Sequence, residues 1–138
     1  QLVIYRNGKR KDLAFSFDQA DQLPIHKIYP GYEEIDYEIV GGMLIQQLTV
    51  NHLPILVNAA PSLAKYAEMK YQKEPALLVT HVFPDSPAHR SRSIGVGAII
   101  NKVNDEPVQT LDHLRAQLAR SFETNNVTLE SADGVYLH

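Results

Sequence analysis

The sequence predicts an α+β fold, an antiparallel sheet or small open β-barrel of six to seven short strands with two helices. Three observations carry this expectation. Apolar residues recur at every second position in short runs, as Leu2 and Ile4 and then Leu13, Phe15 and Phe17 do. The runs are joined by hairpin signals such as Asn7-Gly8 and Asp133-Gly134, without the βαβ rhythm of a parallel sheet. Only two stretches, 62–71 and 111–122, have helical spacing.

Taken in order, residues 1–17 read as a β-hairpin around Asn7-Gly8, with Leu2, Ile4, Leu13, Phe15 and Phe17 alternating. Residues 18–36 form a connector with two prolines and a Pro30-Gly31 turn. The main domain is 37–138, with a helical insert at about 51–74. In the insert, Pro61 suits a first helical position, and 62-SLAKYAEMKY-71 sets Leu63, Tyr66, Ala67 and Tyr71 on one face. A strand at 76–83 stops at Pro84, and an apolar strand spans Ala98–Val103. Thr110 is placed to cap a helix whose Leu111, Leu114 and Leu118 recur at helical spacing. A last hairpin turns at Asp133-Gly134.

Within 39-IVGGMLIQQLTV-50 two glycines stand directly before a buried-strand pattern. Glycine loses the most backbone entropy on folding, so the pair needs a reason. Either it makes a turn with positive φ, or it leaves bare amides to bind an anion.

Length and composition narrow the function. The 138 residues suffice for one domain with its own core. A formal net charge of −3 supplies no basic field, so nucleic acid is not an expected partner. No apolar run approaches the ~20 residues of a membrane span. Without cysteine there are no disulfides and no thiolate metal sites. The opening Gln1 and the closing GVYLH read as a piece cut from a longer chain, so targeting is not legible.

Catalytic motifs are missing. The six histidines, His26, His52, His81, His89, His113 and His138, include no H-E-x-x-H pair, and no metal or other cofactor is expected. No serine sits in a G-x-S-x-G elbow. Gly95-Val96-Gly97 lacks the lysine of a phosphate loop and precedes a strand. The expectation is a segment that is not an enzyme.

The stretch 79-VTHVFPDSPAHRSRSIGVGAIINKVNDEPVQTLDHLRAQL-118 resembles the core signature of a PDZ domain of the Deg/HtrA serine-protease family. Ser86-Pro87-Ala88, Ile99-Ile100, Val103-Asn104 and Pro107-Val108 carry the resemblance. Asp85, Ala98 and Asp105 depart from it, the first and last standing where the pattern has glycine. Upstream, Tyr37, Val40, Gly41-Gly42-Met43-Leu44 and Leu53-Pro54 look like the opening of the second PDZ-like domain of the larger Deg proteases. The hairpin at 1–17 resembles the end of a preceding PDZ domain.

The resemblance implies a non-catalytic module of a serine endopeptidase whose triad lies elsewhere in the parent chain. It implies binding of peptide C-termini, strands or unfolded-protein segments, and contact with the protease domain of the same chain. The alternative it leaves open is an assembly module for a homo-oligomer, using the groove and insert helix. The compartment implied is periplasmic or cell-envelope if the source is bacterial. Its groove would use Val40, Gly41 and Gly42 as a carboxylate loop, and Met43, Leu44 and Ile45 as a strand with a free edge. Leu111, Leu114 and Leu118 would form the facing helical wall.

Overall fold

The computed structural model describes residues 2–13 and 22–138. Strands β1 (Leu2–Arg6) and β2 (Lys9–Leu13) form a separate two-stranded ribbon closing at Asn7-Gly8. Phe15 and Phe17, expected to continue that hairpin, lie outside the described residues.

The main sheet contains β3 (Tyr37–Val40), β4 (Met43–Gln47), β5 (Leu77–Val82), β6 (Ile99–Val103), β7 (Glu106–Pro107), β8 (Leu129–Ser131) and β9 (Tyr136–Leu137). Its order is β3-β4-β5-β6-β8-β9, with β7 beside β6, and every pairing is antiparallel. Helices α1 (Leu53–Leu56), α2 (Pro87–Ser91) and α3 (Leu111–Thr124) complete the fold. This is the α+β architecture that the alternating short runs call for.

Strand alternation divides the interior into two cores. Met43, Ile45, Leu77, Val79, Ile100 and Val103 turn toward α3, joining Leu111, Leu114, Leu129 and Leu137. Leu78 turns the other way and meets Ile25, Leu48, Leu53 and Leu63. Each such side chain taken out of water contributes roughly 1.5–3 kcal/mol before the entropy of ordering is subtracted. A register shift between Ile100 and Lys102 explains how Ile100 and Val103, three residues apart, share one core.

The insert differs from its expected form. It does not contain a regular ten-residue α-helix over 62–71. Two 3₁₀ turns, Pro61–Ala67 and Met69–Tyr71, are separated by extended backbone at Glu68. With three residues per turn, Leu63 and Tyr66 share a face, and they pack in the second core. Ala67 and Tyr71 point to solvent instead.

Part of the connector is tied into the same unit. Ile25 is fully buried, its N–H donates to the Gln72 carbonyl at 3.1 Å, and Val50 N–H donates to the His26 carbonyl at 2.9 Å. The Asn51 amide clasps both the N–H and the carbonyl of Ile28, at 2.9 and 3.0 Å.

Candidate functional site

Gly41 and Gly42 form the two-residue turn between β3 and β4, with φ of 57° and 83°. Positive φ at both central residues is the type I′ requirement, whose twist matches the flanking strands. The turn is not an open loop of amides. Its carbonyls face inward: Gly41 accepts from Ala88 N–H at 3.0 Å and Gly42 from Phe83 N–H at 2.8 Å. Ser86-Pro87-Ala88 docks there as the start of α2. Ser86 caps the helix through His89 N–H, Pro87 stands at a first-turn position, and Ala88 is buried.

The strand expected to offer a free edge, β4, is paired on both sides, by β3 and by β5. The edge strand is β3. Across from it lies α3, fixed by three sets of side-chain bonds. Thr110 caps its N-terminus through His113 N–H at 3.2 Å. Gln47 reaches from β4, donating to the Ala76 and Gln109 carbonyls and accepting from Leu111 N–H. Asn104 donates to the Ser121 hydroxyl at 2.6 Å and accepts from Thr128 N–H at 2.8 Å.

Between β3 and α3 runs a cleft of about 500 Å³, lined by Glu38–Gly41, by Arg115, Leu118, Ala119, Ser121 and Phe122 of the helix, and by Asn125–Val127. Leu118, Val40 and Val127 form a half-buried apolar base continuous with the first core. Ile39 and Phe122 stand exposed on the flanking elements. Exposed apolar side chains beside an apolar cleft are what a binding surface requires.

A charge network spans the cleft. The Arg115 guanidinium forks onto the Asp36 carboxylate at 2.7 and 2.8 Å and donates through Nε to Glu38 at 3.0 Å. Its remaining bond, at 3.1 Å, goes to the Tyr37 carbonyl. Asp36 also accepts from Tyr37 N–H at 2.9 Å. The bonds from Arg115 hold the Asp36 carboxyl below the usual carboxylate range and raise the guanidinium in return.

The residues expected to form the groove thus divide. Val40, Gly41 and Leu118 line the cleft. Met43, Ile45, Leu111 and Leu114 are buried in the first core, so their side chains are closed to a ligand, and Leu44 lies on the interior strand. Gly42 is pressed against Ser86. The sequence reading missed Arg115, Asp36, Glu38, Ile39 and Phe122. The available signal was 36-DYEIV-40, where Asp36, Glu38 and Val40 alternate with Tyr37 and Ile39, which marks a strand but not its place in the sheet.

Among the described residues no three His, Cys, Asp or Glu side chains converge on a metal geometry. Also among them, no helix is long and apolar enough to cross a membrane. Comparison with curated proteins and with solved structures returns no match. The PDZ domain profile, which describes a family of non-catalytic peptide-binding modules, matches residues 63–131. That match spans half of the chain and covers the Ser-Pro-Ala turn, the Val103-Asn104 hairpin and the whole of α3: the chain belongs to the PDZ domain family.

Proposed function

We propose that this domain takes extended peptide segments as an added strand on the outer edge of β3, within the cleft against α3. One observation carries the reading: the sheet ends at β3, and the cleft lined by that strand faces the apolar side of an anchored helix. Main-chain bonds to the edge would supply affinity, and Leu118, Val40 and Phe122 would select side chains. A short added strand buries little surface, so binding near micromolar, about −8 kcal/mol, is expected.

The larger context we propose is a Deg/HtrA-type serine endopeptidase, whose catalytic domain this module would regulate, with a periplasmic or cell-envelope setting if the source is bacterial. The support is the order of the pieces, from Tyr37 and the glycine turn through Ser86-Pro87-Ala88 to Pro107-Val108. A second reading, assembly of a homo-oligomer, is favoured by the insert. Ile55 and Met69 are 74% and 70% exposed there, and Tyr71 is open beside them in sequence.

Selection from a randomised peptide pool, followed by calorimetry, tests the groove. Leu118→Glu and Phe122→Glu should each abolish binding of the selected peptides, whereas Ile55→Glu on the insert should leave it intact. Binding insensitive to both cleft substitutions would remove the proposal. Self-association measured by light scattering, and weakened by Tyr71→Glu or Leu56→Glu without loss of fold, would favour assembly.

A further inference from the structure

A peptide added antiparallel to β3 would bring its C-terminus to the first residue of that strand, Tyr37. An incoming carboxylate would seek a free N–H and a cation there. Both are already taken by the protein itself. Tyr37 N–H is held by Asp36 at 2.9 Å, and the Asp36 carboxylate also receives the two-pronged bond from Arg115. Glu38 occupies the guanidinium Nε–H, and the Tyr37 carbonyl accepts the remaining bond from Arg115. Asp112 stands 3.8 Å away on the same helix, so three carboxylates surround one cation.

The opposite end offers nothing better. Residues 125–127 line it with two asparagines and a valine, and Arg115 is the only cation among the described residues that line the cleft. A peptide added parallel to β3 would place its carboxylate there, without a charge to meet it.

Resting on the groove proposed above, we infer that Asp36 is a built-in occupant of the groove's anion position, and that the groove therefore takes internal extended segments rather than free C-termini. Asp36 supplies intramolecularly the carboxylate that a terminal peptide would bring. The excess acid around Arg115 then repels a second carboxylate and favours a basic side chain at that end of the bound segment. Because Asp36 and Arg115 are partly solvent-exposed, the latch is accessible to exchange rather than locked in the core.

The test uses the full chain and two randomised decapeptide pools, one ending in free acids and one in amides. Peptides recovered from each pool are measured by calorimetry against the wild type and against Asp36→Ala/Glu38→Gln. The double variant frees Tyr37 N–H and Arg115 at an exposed position, and its thermal melt checks that the fold survives. The wild type should bind amidated peptides as tightly as free acids or more tightly. The double variant should reverse this, favouring free acids by about tenfold, the scale of one charge-assisted bond gained. Arg115→Gln added to the double variant should erase that preference. A wild type favouring free acids over amides would overturn the inference while leaving the groove standing. Binding of free acids by the double variant alone would support self-occupancy even with a silent wild type. Failure of every protein with both pools would overturn the groove and the inference together.

Discussion

Gly42 has no room for a side chain. A Cβ at that position would stand 2.0 Å from the Ser86 Cβ and 2.5 Å from its hydroxyl, on backbone already at a φ of 83°. Gly42→Ala should destabilise the fold by about 2–4 kcal/mol, combining left-handed strain with overpacking. Gly42→Ala/Ser86→Gly should recover the overpacking part, since glycine costs an N-cap only a few tenths of a kcal/mol. Urea unfolding of the two single variants and the double variant measures the coupling, and strict additivity would contradict the contact. Asp85 and Asp105, which stand where the resembled pattern has glycine, keep the conformation that glycine favours, with φ of 61° and 65°. Asp105→Gly should therefore stabilise the domain by roughly 0.5–1 kcal/mol, read as a higher urea midpoint at unchanged slope. At this scale the glycine pair announced itself in the sequence, and so did its turn reading. The choice between turn and anion loop was not legible, because Ser86 comes from 44 positions further along the chain.

The insert and the described part of the connector pack on the second face of the sheet. Leu63 is fully buried against Ile25, Leu48 and Leu78, so Leu63→Ala should cost about 2–5 kcal/mol in thermal or chemical unfolding. Tyr71→Glu, at an exposed position, should change stability by no more than about 0.5 kcal/mol. Equal losses in both would contradict the 3₁₀ geometry, which turns Leu63 in and Tyr71 out. The apolar spacing 63, 66, 67 and 71 fits an α-helix equally well on paper. Tertiary packing and the extended Glu68 decide against it, and neither is local information.

His26 fastens the described part of the connector: its Nδ1 faces the Leu23 carbonyl at 2.8 Å and its Nε2 faces Glu33 at 3.1 Å, so both ring nitrogens point at acceptors. Burial lowers the imidazole pKa, but the bonds to Glu33 and Leu23 outweigh it and the net direction is upward. A pKa raised on folding contributes stability in full below the unfolded value near 6.5, and that contribution is lost as pH rises through the folded value. The stability difference between wild type and His26→Gln should accordingly shrink from pH 5.5 to pH 8. A difference that grows with pH would contradict the charged pairing.

For the whole molecule, the sheet order decides where a ligand can act. The antiparallel pairing and the helix expected over 111–122 were readable from alternation, turn residues and leucine spacing, whereas nine strands stand among the described residues where six to seven were expected. Which strand lies at the edge was not, because period-two alternation looks the same on an edge strand and its paired neighbour. The reading of β4 as the open strand was therefore displaced by one strand, to β3. Of the helix residues expected in the groove wall, Leu111 and Leu114 point into the core, while Leu118 lies with Arg115 and Phe122 along the cleft. The proposed peptide binding depends on that edge. Amide hydrogen exchange, measured with and without a peptide selected from the amidated pool, tests it most directly. Protection should rise along Tyr37–Val40 and hold steady in β4, whose edges are both already paired. Unchanged exchange in β3 at saturating peptide, with new protection at the insert, would contradict the account.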